Sequence, residues 1–221
     1  MGFGAERAGA ARRGTRDSSA GPMEGSRGRR TAEERTDRYV IVLMVRAGAD
    51  LARACEIWEA TCGAAVHEGC FQRDGTMHFT LSDVQWLTER EAAQAFFRHP
   101  PPLPIDIRLA GLNSWSSCLA AKADIRSARR ISSLLADLAG LPRKVTATPP
   151  DSLHLSVYRR RGMPRRPFED AVAQMKAATC GLDLGHVVGT AIAIKVVGCP
   201  YTEDCGQYRL LAAPVEDTSP A

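Results

Sequence analysis

The chain has 221 residues, 44% hydrophobic and 24% charged, a balance that suits one globular domain or two small lobes with a tail. No apolar run approaches the ~20 residues that span a bilayer, so no membrane partner is expected. The net charge of +4 mildly favours a polyanionic partner, although much of the excess lies in the N-terminal tail.

Residues 1–37 are rich in Arg, Gly and Ser and nearly lack large apolar side chains, so they cannot bury enough surface to offset their ordering entropy and are expected to be disordered. Residues 216–221 read the same way. The folded domain is expected over 38–215. Gly2 fails the myristoylation pattern because Glu6 stands where Ser or Thr is needed. The acids Glu6, Asp17, Glu24, Glu33 and Glu34 oppose a transit peptide, and the start lacks the apolar core of a secretory signal. The seven Cys show no Cys-x-x-Cys and no zinc spacing. Free thiols in a reducing, intracellular compartment, cytoplasmic or nuclear, are expected, with Cys199 and Cys205 as the pair that leaves room for a disulfide.

Tyr39 to Val45 is a continuous apolar run, as expected of a buried strand. Leu51, Ala54, Cys55, Ile57, Trp58 and Cys62 are spaced as one face of a helix, with Asp50 as N-cap and Gly63 beyond its end. A strand follows the turn at Asp74-Gly75. Thr88 and Glu91 form a capping box for a helix to about Phe97, ended by Pro100, Pro101 and Pro102. Ile105 to Leu109 alternates as a strand, residues 111–117 read as a bend, and Cys118 to Ala123 as another strand. Ser127 to Leu138 carries a helical stripe, ended by Gly140 and Pro142. Then come a strand over Leu153 to Arg159, a helix from Pro167 to about Ala178 and strands over Thr190 to Val197 and Gln207 to Ala212.

Two stretches repeat each other at a separation of seventy-six residues: Met77-His78-Phe79-Thr80-Leu81 and Leu153-His154-Leu155-Ser156-Val157. Residues i and i+2 of a strand share a face. His78 therefore projects with Thr80, and His154 with Ser156, while Phe79, Leu81, Leu155 and Val157 face a core.

Two His-x-Thr/Ser-x motifs on strand-like stretches resemble the signature of the 2H phosphoesterase superfamily, which includes LigT-like enzymes, cyclic phosphodiesterases and an RNA-trimming enzyme. The resemblance covers about Tyr39 to Ala213. It implies an α+β, two-lobed fold: each lobe an antiparallel sheet backed by helices, related by a pseudo-two-fold axis, with the motif strands facing across a central cleft. The run from Val197 to Tyr208 also resembles the family's closing hairpin.

An in-line displacement at phosphorus needs a base for the attacking oxygen and an acid for the leaving one. Two imidazoles, with an ordinary pKa of ~6.5, can supply both. The resemblance implies His78 and His154 as that pair and Thr80 and Ser156 as hydrogen-bond donors to the phosphate, without a metal or cofactor. Arg159 stands where LigT-like members often carry Arg and is a phosphate-ligand candidate. Ser82 and Asp83 stand where bacterial members commonly have Arg and Phe, a departure from that branch. Trp115 and Tyr158 are candidates for stacking a base, whereas Trp86 is expected in the core. Arg159, Arg160, Arg161, Arg165 and Arg166 read either as a nucleic-acid path or as a solvated loop. Asp83 and Asp151 read as solvated or capping, and His67, His99 and His186 are given no role.

The expectation is a monomeric, metal-independent phosphodiesterase acting on RNA 3′ ends, 2′-5′ oligonucleotides or small cyclic nucleotides, with 2′,3′-cyclic phosphates as the leading substrate. The alternative is an RNA- or nucleotide-binding module on the same fold with little turnover. A further alternative is an interaction protein working through its Arg/Gly tail.

Overall fold

The computed structural model describes residues 36–62, 77–115, 117–197 and 208–214, all within one compact unit, residues 31–221. In chain order the elements are β1 (Thr36–Ala47), α1 (Ala49–Cys62), β2 (His78–Thr80), β3 (Gln85–Thr88), α2 (Glu89–Ala93), β4 (Phe96–Phe97), β5 (Ile105–Trp115), β6 (Cys118–Ala123), α3 (Ile125–Ser132), β7 (Leu138–Ala139), β8 (His154–Arg159), α4 (Arg165–Ala178), β9 (His186–Val196) and β10 (Tyr208–Ala212). The chain is α+β, with a large antiparallel sheet backed by helices. No helix of the described residues is long and apolar enough to cross a membrane.

The sheet closes on itself. β1 pairs with β2, β2 with β8, β8 with β6, β6 with β5, β5 with β9 and β9 again with β1, every pair antiparallel. β3 and β10 extend the ring from β1 and β9. The ring has a two-fold pattern in which β1 corresponds to β6, β2 to β8 and β5 to β9. Its axis passes between the two motif strands at Phe79 and Leu155, and on the far side between β5 and β9, where Ile107 faces Val187 and Ile105 faces Gly189 one rung-pair away. A Cβ on Gly189 would lie 2.6 Å from Ile105 Cγ2 and 3.0 Å from Leu43 Cδ2, so a larger residue cannot close this far seam without displacing them. Each half carries one bulge at the matching place, at Ala110 in β5 and at Thr190 in β9.

One face of the sheet is the main core. Ile41, Leu43, Phe79, Leu119, Leu155, Ile107 and Ile192 pack there with Leu51 and Trp58 of α1, Ile131 of α3, and Phe168 and Met175 of α4. The indole Nε1 of Trp58 donates to Met175 O and to Thr179 Oγ1, both at 3.1 Å, tying α1 to α4. The opposite face holds a smaller apolar cluster of Val40, Val42 and Ala193, with Met44 and Val197 against it. β1 is thus apolar on both sides, which is why its sequence shows no alternation.

Several expected boundaries move. Thr36 and Asp37, expected in the tail, pair with Thr88 and Leu87. The Thr88–Glu91 capping box forms, but α2 stops at Ala93 and Phe96–Phe97 pairs with Leu138–Ala139 instead of continuing the helix. Residues 111–115, expected as a bend, continue β5 through its bulge. α3 is capped by Asp124 and gives way to a 3₁₀ turn at Ser133–Leu135. The expectations for Gly63, Asp74-Gly75, the Cys199–Cys205 pair and the run from Gly198 to Gln207 lie outside the described residues, as do residues 1–35 of the tail and 216–221. Cys62, Cys118 and Cys180 are free thiols.

Candidate functional site

The motif strands lie side by side rather than across a cleft. Phe79 and Leu155 are antiparallel partners, and both are fully buried in the core. One residue to either side, the same register sets His78 opposite Ser156 and Thr80 opposite His154, all four on the face away from the core. Cross-strand neighbours of this kind lie ~4.5–5.5 Å apart at their Cβ atoms. By that alternation the two His and the two hydroxyl residues share one face of the paired strands, in a small square of positions. Its apolar anchors, Phe79 and Leu155, hold the square flat against the core. His78, Thr80 and His154 are half-buried and Ser156 is buried.

His154 is oriented by its own strand entry. Its Nδ1 lies 2.8 Å from the carbonyl oxygen of Ser152. A carbonyl only accepts, so Nδ1 carries the proton and Nε2 is the nitrogen left for chemistry. The Trp115 ring lies against the imidazole, with centroids 4.6 Å apart and planes at 38°. Trp115 comes from β5, beyond the Ala110 bulge. Without that extra residue, position 115 would follow Ile105, Ile107 and Leu109 onto the core face.

A second bulge decides the place of Arg159. Ala120 pairs with Ser156 and Leu119 with Tyr158, leaving Val157 as the extra residue of β8. Simple alternation would put Tyr158 beside His154 and Ser156 and send Arg159 to the core. The bulge reverses both. Tyr158 turns into the core, fully buried, with its ring stacked on Phe168 at 5.5 Å. The expectation that it stacks a base is corrected on this ground, since neither ring face is open. Arg159 turns onto the site face, where its Nη2 donates to Ser156 Oγ at 3.2 Å. Its Nε is buried and has no hydrogen-bond partner among the described residues.

Three neighbours could not be found from the sequence, because they depend on register. Lys122 is the cross-strand partner of His154, and its Nζ donates to Asp151 O at 3.3 Å. Cys118 is the partner of Arg159; burial pushes its thiol pKa up, against smaller opposing effects of a hydrogen bond with Ser156 and the Arg159 charge. Lys195 lies on the same face two strands from β2.

Other sequence candidates stay apart from the square. Ser82 is a buried link, accepting from Ile41 N and donating to Asp83 O, both at 2.9 Å. Asp83 Oδ1 accepts from Gln85 Nε2 at 2.6 Å and from Thr146 N at 3.1 Å, which gives it a structural task. Trp86, expected in the core, is 67% exposed, because it belongs to the edge strand β3 and faces away from Gln85 and Leu87. Arg165 pairs with Glu169 at 2.7 Å on the surface of α4. A cavity of about 970 Å³, lined by Arg98, Arg143, Lys144 and Thr146 among others, lies by the loop after β7 and includes none of the four motif residues.

No protein-family model and no curated protein matches the chain. Among solved structures it is similar to Usb1 of Kluyveromyces marxianus. The structure of that protein with uridine monophosphate matches at 11% identity and a TM-score of 0.44, covering 82% of this chain and 99% of the other. A second Usb1 structure matches at 12% identity and 0.46, covering 80% and 98%. At this identity and score the likeness carries no functional weight, and the functional reading rests on the site's own residues.

Proposed function

We propose that the chain is a metal-independent phosphodiesterase of RNA ends or nucleotides, hydrolysing 2′,3′-cyclic phosphates by two-histidine acid–base catalysis. The observation that supports this reading best is the pairing of Phe79 with Leu155, because it makes the two His-x-hydroxyl stretches neighbouring strands. A phosphate between the two histidines has an imidazole on its entering side and another on its leaving side. The neutral one takes the proton of the attacking water as its oxygen bonds to phosphorus. The protonated one gives its proton to the departing ribose oxygen as that P–O bond breaks. Each transfer is typically worth about 10²–10⁴ in rate. Thr80 and Ser156 donate to the non-bridging oxygens, and those bonds strengthen as charge builds there. The Nε of Arg159, buried and without a hydrogen-bond partner among the described residues, supports the same reading, since a phosphate oxygen would satisfy that donor.

Turnover of nucleoside 2′,3′-cyclic phosphates in EDTA tests the reading, for wild type beside His78→Ala and His154→Ala. Each variant is expected to lose at least about 10²-fold in kcat. The wild-type rate should be bell-shaped in pH, because one group must be neutral and the other protonated. A wild type that binds these ligands without turning them over would establish the binding-module alternative.

A further inference from the structure

The stretch from β7 to β8 builds an opening of its own. Gly140 turns the chain with a φ of 82°, and a Cβ there would collide with Gln94 O, so the turn closes against the end of α2. Beyond it the chain returns alongside the residues that follow β2. Thr148 N donates to Leu81 O at 2.8 Å, Asp83 N donates to Thr146 O at 3.0 Å, and Ser82 faces Ala147 between them. From the end of α3, Ser132 Oγ donates to Thr148 O at 2.7 Å. The returning segment is thus held both by the continuation of β2 and by α3, and the cavity of about 970 Å³ that it helps to line is a formed feature of the fold.

The chemistry of this cavity is one-sided. Arg98, Arg143 and Lys144 line it, and no carboxylate does among the described lining residues. None of the three side chains has an ion-pair partner among the described residues. Asp137, whose carbonyl oxygen accepts from Arg98 N, gives its carboxylate to His99 instead, at 3.5 Å. An opening lined by charges of one sign concentrates ligands of the other. Leu138 and Leu141 line it as well, so apolar surface accompanies the cations. A small anion would meet the charges and leave that surface and most of the volume unfilled. A single nucleic-acid strand matches both, with phosphates for the cations and base faces for the apolar wall. The place of the cavity links it to the motif strands. Its wall at Ala147 faces Ser82, two strand residues past Thr80, or about 7 Å along the backbone.

We propose that this cavity is a second binding site, for single-stranded RNA, and that it takes the nucleotides 5′ of the end whose phosphate is held by the motif residues. The natural substrate is then an RNA strand several nucleotides long rather than a mononucleotide. The link to the motif residues rests on the phosphodiesterase reading, whereas binding of a strand in the cavity does not. Arg98, Arg143 and Lys144 set substrate length in this scheme and take no part in the proton transfers.

The test compares an oligoadenylate of ten nucleotides ending in a 2′,3′-cyclic phosphate with adenosine 2′,3′-cyclic phosphate, on the full chain. The proteins are wild type, Arg143→Gln with Lys144→Gln, Arg98→Gln, and a control, Arg53→Gln with Arg126→Gln, which removes two exposed charges that do not line the cavity. Wild type is expected to prefer the decamer by about 10-fold or more in kcat/KM, expressed in KM, since charge-assisted contacts to phosphate are the strong ones. The Arg143/Lys144 double variant should lose that preference and Arg98→Gln part of it, both with unchanged turnover of the mononucleotide, while the control keeps it. Arg143→Lys should retain it, and thermal melts of all variants separate folding from binding. Without turnover, the affinity of labelled decamer is followed against salt. Its log–log slope should flatten by about 1.4 in the double variant, or about 0.7 for each cation lost. No preference in wild type, or an equal loss in the control, overturns the inference and leaves the phosphodiesterase reading standing. An oligoglutamate of ten residues that binds more tightly than the decamer, and loses that affinity in the double variant, overturns it too by assigning the cavity to an acidic protein segment. Absence of turnover on both cyclic substrates overturns the phosphodiesterase reading instead, and the decamer affinities then decide the cavity by themselves.

Discussion

The two halves of the ring share a backbone plan and differ in what they hang on it. Around His154 the structure adds Lys122, Trp115, Arg159 and Cys118; around His78, the matching positions of Lys122 and Trp115 hold Met44 and Lys195. The third strand residue after Ser156 is Arg159, brought over by the β8 bulge, whereas the third after Thr80 is Asp83, held by Gln85 and Thr146. Duplicated backbone supplies two histidines at matching strand positions, and their neighbours differ.

Removing either imidazole should break the comparison most severely, in the turnover assay described above. Next comes Arg159→Ala, which takes away the guanidinium that only one half possesses. A hydrogen bond to a charged group is worth about 1.5–3 kcal/mol, so kcat/KM should fall about 10- to 100-fold. Arg159→Lys should recover only part of this, since Lys lacks the planar fork. An unchanged kcat/KM in Arg159→Ala would show that the β8 bulge aims the side chain at nothing that matters. Trp115→Ala sharpens the comparison from the other side. Loss of one base-stacking platform, about 1–3 kcal/mol, should raise KM about 10-fold for a nucleotide and leave hydrolysis of a base-free phosphodiester untouched. Equal losses on both would place Trp115 as a support for the His154 ring instead.

The smallest effect separates the helices that follow β1 and β6. α1 is long and anchored by Trp58, while α3 is short and held at its start by Asp124, whose Oδ1 accepts from Ser127 N at 2.6 Å. Asp124→Ala should cost about 1 kcal/mol of unfolding free energy. The Ser127 amide holds the Asp124 carboxyl below its ordinary pKa. Its contribution is therefore present above an unfolded value of ~3.9 and is lost as pH falls through the lower folded one. Denaturation curves at neutral and acid pH check this, the difference between wild type and variant shrinking in acid.

The motif pattern was legible because it depends on a period of two within single strands, and both strands keep that period from Met77 to Leu81 and from Leu153 to Ser156. The order of strands and helices was largely legible for the same reason. What stayed hidden depends on breaks in the period or on pairing between distant segments. Tyr158 and Arg159 exchange faces through one extra residue at Val157, and no composition signal marks a bulge made of Val. Trp115 reaches His154 through a second such break. Trp86 looks like a core residue by type alone, and only its place on an edge strand exposes it. Lys122 becomes a neighbour of His154 through a register that no local reading of Cys118 to Ala123 contains.

The two seams on the axis are unequal in strength. On the far side, four residues of β5, Ile105 to Arg108, pair with four of β9; at the site, β2 and β8 share the single pair Phe79 and Leu155. A ladder of one rung opens at far less cost than a ladder of four. The front of the molecule is thus its hinge and the back its spine. Opening of that one pair would change the spacing of the two motif strands. Backbone amides at Phe79 and Leu155 should exchange with deuterium sooner than those at Ile107 and Val187, and a phosphate seated between the histidines should slow them by clasping both strands.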